Sequence, residues 1–275
     1  MIELQAALIC AILLISAFAG AWVQKVLPTQ HQTTDTVDSV RLVMTMLLTV
    51  SAVVLGLLTS SAKARHDDQV GNLERYSVDL IELDQRLRQY GPAAFEIRSR
   101  LRAYTAAAIA DTWPNEPHPP GRYPQGREIG ATSGVESFTL GEYLAGIDRM
   151  IEELVPKDVF HQQTADRLRA RVADVLQQRW RLIASTHSTI SWPFLTVLLF
   201  WLVIIFAIFG LTSPRNVLVH VVIVLGALSV SSSVYLILEF DAPQAGLLRV
   251  PSQSLRDALS HMDRPEGPEP GDVRP

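Results

Sequence analysis

Residues 216–246 read NVLVHVVIVLGALSVSSSVYLILEFDAPQAG, and this stretch decides the fold. Asn216 to Leu238 carries no Asp, Glu, Lys or Arg, and about 20 such residues in a helix cross the hydrocarbon of a bilayer. Inside the run lie His220, Gly226, Ser229, Ser231, Ser232 and Ser233. An anchor bathed in lipid has no use for that many polar groups, so the helix is expected inside a bundle. Helical geometry puts Gly226, Ser229 and Ser233 on one side, with His220, Ala227 and Ser231 nearly opposite. Such a helix meets protein or water on both sides and is expected at the bundle centre. Glu239, Asp241, Pro243 and Gly246 follow, and they read as an acidic exit where the chain turns.

Three further apolar runs extend the pattern. Leu4 to Val23 contains Ala17-Phe18-Ala19, which resembles a signal cleavage site. Met1-Ile2-Glu3 lacks the basic start of a cleaved signal, so a retained helix with Trp22 and Lys25 at its far interface is the better reading. Leu42 to Ala62 is the second span. Thr45, Thr49, Ala52, Gly56 and Thr59 share one of its faces, and such a row lets helices approach closely and hydroxyls bond across the contact. Packing is the preferred reading of that row, and a pore lining is the alternative. Trp192-Pro193 opens the third span, since Pro suits a first helical turn. With Phe200, Trp201, Phe206, Phe209 and bulky aliphatics all round, this span reads as lipid-facing. Ser213-Pro214-Arg215 is short enough to make spans three and four antiparallel neighbours.

Between spans two and three the periodicity is that of packed helices. Leu73, Tyr76, Leu80, Leu83, Leu87 and Tyr90 recur at three- and four-residue steps, which fits either an intramolecular bundle or a short coiled coil between subunits. Gly91-Pro92 stops or kinks that helix. Ala94, Ile97, Leu101, Tyr104 and Ala108 form a second stripe, and Tyr143, Leu144, Ile147, Met150, Ile151 and Leu154 a third. A long helix follows with Leu168, Val172, Val175, Leu176, Leu182 and Ile183 on its apolar side. Leu255, Leu259 and Met262 mark a short amphipathic segment that docks on these helices or on the membrane surface.

The expected fold class is all-α: a four-transmembrane-helix membrane protein with a helical cytoplasmic insert between helices 2 and 3. The expected domains are a first hairpin over 1–62, a cytoplasmic region over 63–191 with a Pro/Gly-rich loop at 113–134, a second hairpin over 192–240, and a tail over 241–275 that is disordered from about 265 on composition. Lys63, Arg65, Arg75, Arg179, Arg181 and Arg249 flank one side of the membrane; Lys25, Arg41 and Arg215 flank the other. This asymmetry places both termini and the insert in the cytoplasm, with the protein in the inner membrane.

Composition excludes several functions. A net charge of −4 argues against a nucleic-acid surface, and the single Cys10 permits no internal disulfide or cysteine metal site. His66-Asp67-Asp68 and His161 lack a spacing that fixes a coordination geometry. There is no phosphate loop, nucleophile elbow or HExxH run, so neither an enzyme nor a cofactor is expected. His220 is an ionisable side chain inside a span and a candidate pH-sensitive group. Its place only four residues after Asn216 favours a satisfied interfacial histidine.

The order of two spans, a helical insert and two closing spans resembles the bacterial bestrophin-like membrane proteins. The likeness is carried by V54-L-G-L-L, L83-D-Q-R-L-R-Q-Y-G-P and L238-E-F-D-A-P-Q-A-G, and it covers nearly the whole chain. It implies a relation to bestrophins, anion channels in which five subunits surround a pore. The second span shows Thr, Ala and Gly where a bestrophin neck places bulky apolar residues. The two acids after the fourth span make no dense cluster like the bestrophin calcium clasp, so no channel or calcium residue is carried over. Two functions are expected on these grounds. One is an oligomeric anion channel or channel-like transport protein, lined by Thr45, Thr49, Ser229 and Ser233. The other is a non-conducting scaffold or sensor acting through the insert. The implied partners are the lipid bilayer, further copies of the chain and a small inorganic ion.

Overall fold

The computed structural model describes residues 2–26, 34–124, 138–186, 192–214, 216–240 and 248–264, and among these residues helices are joined by turns with no strand. The helices are α1 (Ile2–Val26), α2 (Thr34–Tyr90), α3 (Phe95–Thr112), α4 (Phe138–Glu152), α5 (Val159–Thr186), α6 (Trp192–Thr212), α7 (Val217–Phe240) and α8 (Gln253–Met262), with a 3₁₀ turn at Pro92–Ala94. Two compact units result, Met1–His66 with Thr189–Arg249, and Asp67–Ser188 with Val250–Pro275. α1, α2, α6 and α7 are each long and apolar enough to cross a membrane.

α2 joins the second apolar span and the first helix of the insert into one helix of 57 residues, roughly 85 Å at 1.5 Å per residue. Thr34 to Tyr90 contains no proline and only the isolated Gly56 and Gly71, so nothing interrupts its backbone ladder. It ends where Gly91 adopts φ 88°, a conformation open to glycine, and Pro92 withholds an N–H.

In the first unit α1 packs against both α6 and α7. Leu13 and Ala17 of α1, Leu58 and Ala62 of α2, Leu198, Leu202 and Phe206 of α6, and Val234 and Ile237 of α7 form one core. The expectation of a wholly lipid-facing third span is corrected here. α6 buries Leu195, Leu198, Leu202, Ile205, Phe206 and Gly210 and leaves Trp192, Phe194, Val197 and Phe200, all in its first half, strongly exposed. The reason is a close approach to α1. A Cβ on Gly210 would lie 1.9 Å from the Ala17 carbonyl oxygen, and one on Gly20 would lie 2.0 Å from that of Ala207. Two helices missing side chains at the same level bring their backbones together, and the Ser16 hydroxyl donates across the contact to the Val203 carbonyl at 2.6 Å. α7 exposes Val217, Leu218, Val221, Val222, Leu225 and Leu228, and among the described residues the helix packed on both α6 and α7 is α1.

The second unit closes on its own core. Leu73, Tyr76, Leu80, Leu83, Leu87 and Tyr90 are buried with Ile97, Leu101 and Tyr104, with Leu144, Ile147 and Ile151, and with Leu168, Val172 and Val175. The heptad seam of α2 therefore packs within the chain. α8 docks on α3 through Leu255, Leu259 and Met262. Its last turn is held by charge. Asp84, buried at 3% side-chain exposure, pairs with Arg88 at 2.9 Å and Arg98 at 2.7 Å. Those guanidiniums donate to the Met262 carbonyl, and Arg88 also reaches the His261 carbonyl. Cations at the negative end of a helix are favoured there.

Candidate functional site

The hydroxyl rows fall on helix surfaces. Thr45 donates to the Arg41 carbonyl and Thr49 to the Thr45 carbonyl, each at 2.9 Å. Ser233 donates to the Ser229 carbonyl at 3.2 Å. These bonds to residues one turn back satisfy the hydroxyls within their own helices, so no partner helix is needed to justify them. Thr45, Thr49 and Ser229 are exposed and Ser233 is half-buried. The chain by itself therefore encloses no channel lined by these four groups. Gly56 has open space where a Cβ would stand, and Gly226 faces the ring of Phe206. α2 joins the core of its unit only towards Val54, Leu55, Leu58 and Ala62. Before that it exposes Leu42, Val43, Met46, Leu48 and Val50.

Glu239 does not stand open at an acidic exit. It is buried, hydrogen-bonds the Tyr235 hydroxyl and accepts the Leu248 N–H at 3.2 Å. A carboxylate in this setting ties Leu248 to the last turn of α7. Asp241, Pro243 and Gly246 lie outside the described residues. Among the described residues no three His, Cys, Asp or Glu side chains converge as a metal site.

His220 is exposed, with Nδ1 at 2.8 Å from the Asn216 carbonyl oxygen and its ring stacked over Phe18 at 6.2 Å. A carbonyl only accepts, so Nδ1 carries the hydrogen and Nε2 is left for other contacts. Asn216 also caps α7, its Oδ1 accepting the Val219 N–H at 2.9 Å. Beside His220 a small, open crevice of about 30 Å³ lies between α1, α6 and α7.

Four membrane-length helices with a helical second unit are the arrangement of a known family. The bestrophin-like domain profile matches residues 11–255. The chain belongs to the bestrophin-like family. Solved structures of a bacterial bestrophin homologue from Klebsiella pneumoniae share the fold of this bestrophin-like chain at low identity. A tryptophan-to-alanine mutant is 16% identical with a TM-score of 0.65, over 95% of this chain and 97% of that one. A tyrosine-to-alanine mutant is 14% identical with a TM-score of 0.62, over 94% and 97%. The structure phased on zinc is 15% identical with a TM-score of 0.61, over 95% and 97%. No curated protein matches the chain.

The close backbone approach of α1 and α6 escaped the sequence reading, although both helices carry its mark. A17-x-x-G20 and A207-x-x-G210 are small-x-x-small pairs, hidden by the aromatic bulk around the second of them.

Proposed function

We propose that this bestrophin-like chain assembles with further copies of itself into a channel-like pathway for a small inorganic anion. The observation that carries the reading is the state of α2. Only 11% of its most apolar window is buried, against 33% in α6. So much bare surface on a membrane-length helix suits coverage by neighbouring subunits, and the Thr45 and Thr49 hydroxyls on that surface suit contact with a partly hydrated ion. The proposed lining is Thr45, Thr49 and Gly56, with Gly226, Ser229 and Ser233 serving packing or lining on α7.

The protein is proposed to sit in the inner membrane with residues 63–191, 241–275 and both termini cytoplasmic. Arg179 is buried and is not available to headgroups. The remaining basic residues still favour that orientation, Lys63, Arg65, Arg75, Arg181 and Arg249 against Lys25, Arg41 and Arg215. The pathway hypothesis assigns the chain no enzymatic step.

The mass of the intact complex in detergent and anion flux from loaded liposomes test the proposal together. An oligomer whose flux falls severalfold in Thr49→Leu is the expected result. A monomer, or liposomes tight to every common anion, overturns it. A second reading, a scaffold acting through the helical insert, is favoured by the exposure of Phe95, Val155, Val159 and Phe160 on the second unit. Crosslinking in cells that recovers a reproducible protein partner through those residues would support it.

A further inference from the structure

The crevice beside His220 lies where three helix ends meet: the last turn of α1 at Gln24, the end of α6 at Ser213, and the first turn of α7 at His220. Its walls are Ala17, Phe18, Ala21, Ile223 and Val224, and its polar groups gather at those helix ends. Gln24 reaches across from α1 to the Ser213 carbonyl at 3.4 Å, bracing the far end. The crevice is too small to enclose a ligand, but its lining, largely apolar with a few polar groups at one end, suits one chain laid along it. We propose that this crevice binds an acidic phospholipid of the surrounding bilayer, one acyl chain lying against Phe18 and Ile223 and the phosphate meeting His220.

Three observations select this occupant. First, the helices around the opening present Phe18, Trp22, Leu218 and Val222 outward, all strongly exposed, and such a surface is covered by lipid chains, with Trp at the headgroup level. A ligand arriving here comes from the bilayer. Second, the charge at the polar end is positive or neutral. The positive end of α7 and His220 stand there, and no carboxylate lines the crevice. Third, His220 is already oriented. Its Nδ1 hydrogen is committed to the Asn216 carbonyl and its ring is stacked on Phe18, which leaves Nε2 to meet a phosphate oxygen, as a donor when protonated. A free inorganic anion would gain nothing from the apolar walls, whereas a lipid uses both halves of the site. The inference rests on the packing of α1, α6 and α7 and stands or falls independently of whether the protein conducts.

The test uses the full chain in phosphatidylcholine vesicles with and without phosphatidylglycerol, each lipid offered with a photoactivatable group on its acyl chain. Label from phosphatidylglycerol is expected in the peptides containing Phe18 and Ile223. His220→Glu, which sets a carboxylate against the phosphate, and Ala21→Phe, which fills the crevice, should each lower that label about tenfold, a difference of about 1.4 kcal/mol. His220→Gln, which keeps a hydrogen-bonding head, should restore most of it. Phosphatidylglycerol retained on the wild-type protein through detergent extraction, and lost in His220→Glu, gives the same answer without relying on the bulkier variant. Absence of label from both peptides overturns the site. Equal label from phosphatidylcholine overturns the acidic headgroup, and displacement by soluble glycerol phosphate overturns a membrane source.

Discussion

Placing a methyl group at Gly210 tests the packing that organises the first unit. A Cβ there would stand 1.9 Å from the Ala17 carbonyl oxygen, 2.8 Å from the Ala17 carbonyl carbon and 2.9 Å from the Ala21 nitrogen. All three atoms are backbone, so no rotamer relieves the clash. Reaching even a 3.0 Å contact requires the two helices to part by about 1.1 Å, the difference from 1.9 Å. Overpacking of this kind costs about 1–3 kcal/mol. The same displacement stretches the 2.6 Å bond from Ser16 to the Val203 carbonyl, worth about 1 kcal/mol more. Gly210→Ala is therefore expected to destabilise the detergent-solubilised protein by about 2–4 kcal/mol, the sum of those two effects. Thermal unfolding followed by the loss of monodisperse protein on gel filtration reads it. Gly146→Ala in α4 is the control, because a Cβ at Gly146 meets nothing within 4 Å, and alanine is the better helix former by about 1 kcal/mol. It should be neutral or stabilising. If Gly210→Ala melts with the wild type, or Gly146→Ala falls as far, the close approach of α1 and α6 is not what holds the unit together.

Removing the charge of Asp84 strands Arg88 and Arg98 at the last turn of α8. With those arginines about a fifth exposed, Asp84→Asn is expected to cost about 3 kcal/mol, the lower end for breaking a buried pair, and to make α8 the first site of limited proteolysis. Trp113→Phe loses the indole donor to the Val250 carbonyl at 2.9 Å, and about 1 kcal/mol of stability should go with it in a denaturant melt of the second unit. Alkaline unfolding should report the Tyr76–Tyr104 pair, whose hydroxyls lie 2.5 Å apart. Burial, with Tyr104 beside it, holds Tyr76 well above the ordinary tyrosine range, and burial likewise raises Tyr104 despite the opposing charge of Arg179. Both folded values exceed the unfolded value of about 10, so the native state keeps protons that the unfolded chain releases. Stability therefore falls as pH rises above about 10. Tyr76→Phe should make that fall less steep, as read by circular dichroism and tyrosinate absorbance together.

What the sequence made legible followed from periodicity and length. The seam from Leu73 to Tyr90, the stop at Gly91-Pro92 and the four apolar runs each rest on a local pattern that tertiary structure has little freedom to override. The misreadings share a different cause. The third span reads as lipid-facing because Phe200, Trp201, Phe206 and Phe209 dominate its composition. Its packing is decided instead by Gly210, a residue that contributes by having no side chain, opposite a second such residue nearly two hundred positions away. Glu239 reads as part of an acidic exit because it directly follows the apolar run. It is buried and accepts the Leu248 N–H, a contact between residues nine apart that no periodic signal writes. Likewise, the serines of α7 suggested a polar face in search of partners, yet Ser232 and Ser233 bond carbonyls one turn back. A hydroxyl inside a span thus has two ways of being satisfied, and only coordinates distinguish them. His220 is satisfied in the first of these ways: its Nδ1 is held by the Asn216 carbonyl four residues back, while the ring it anchors lines the crevice between α1, α6 and α7.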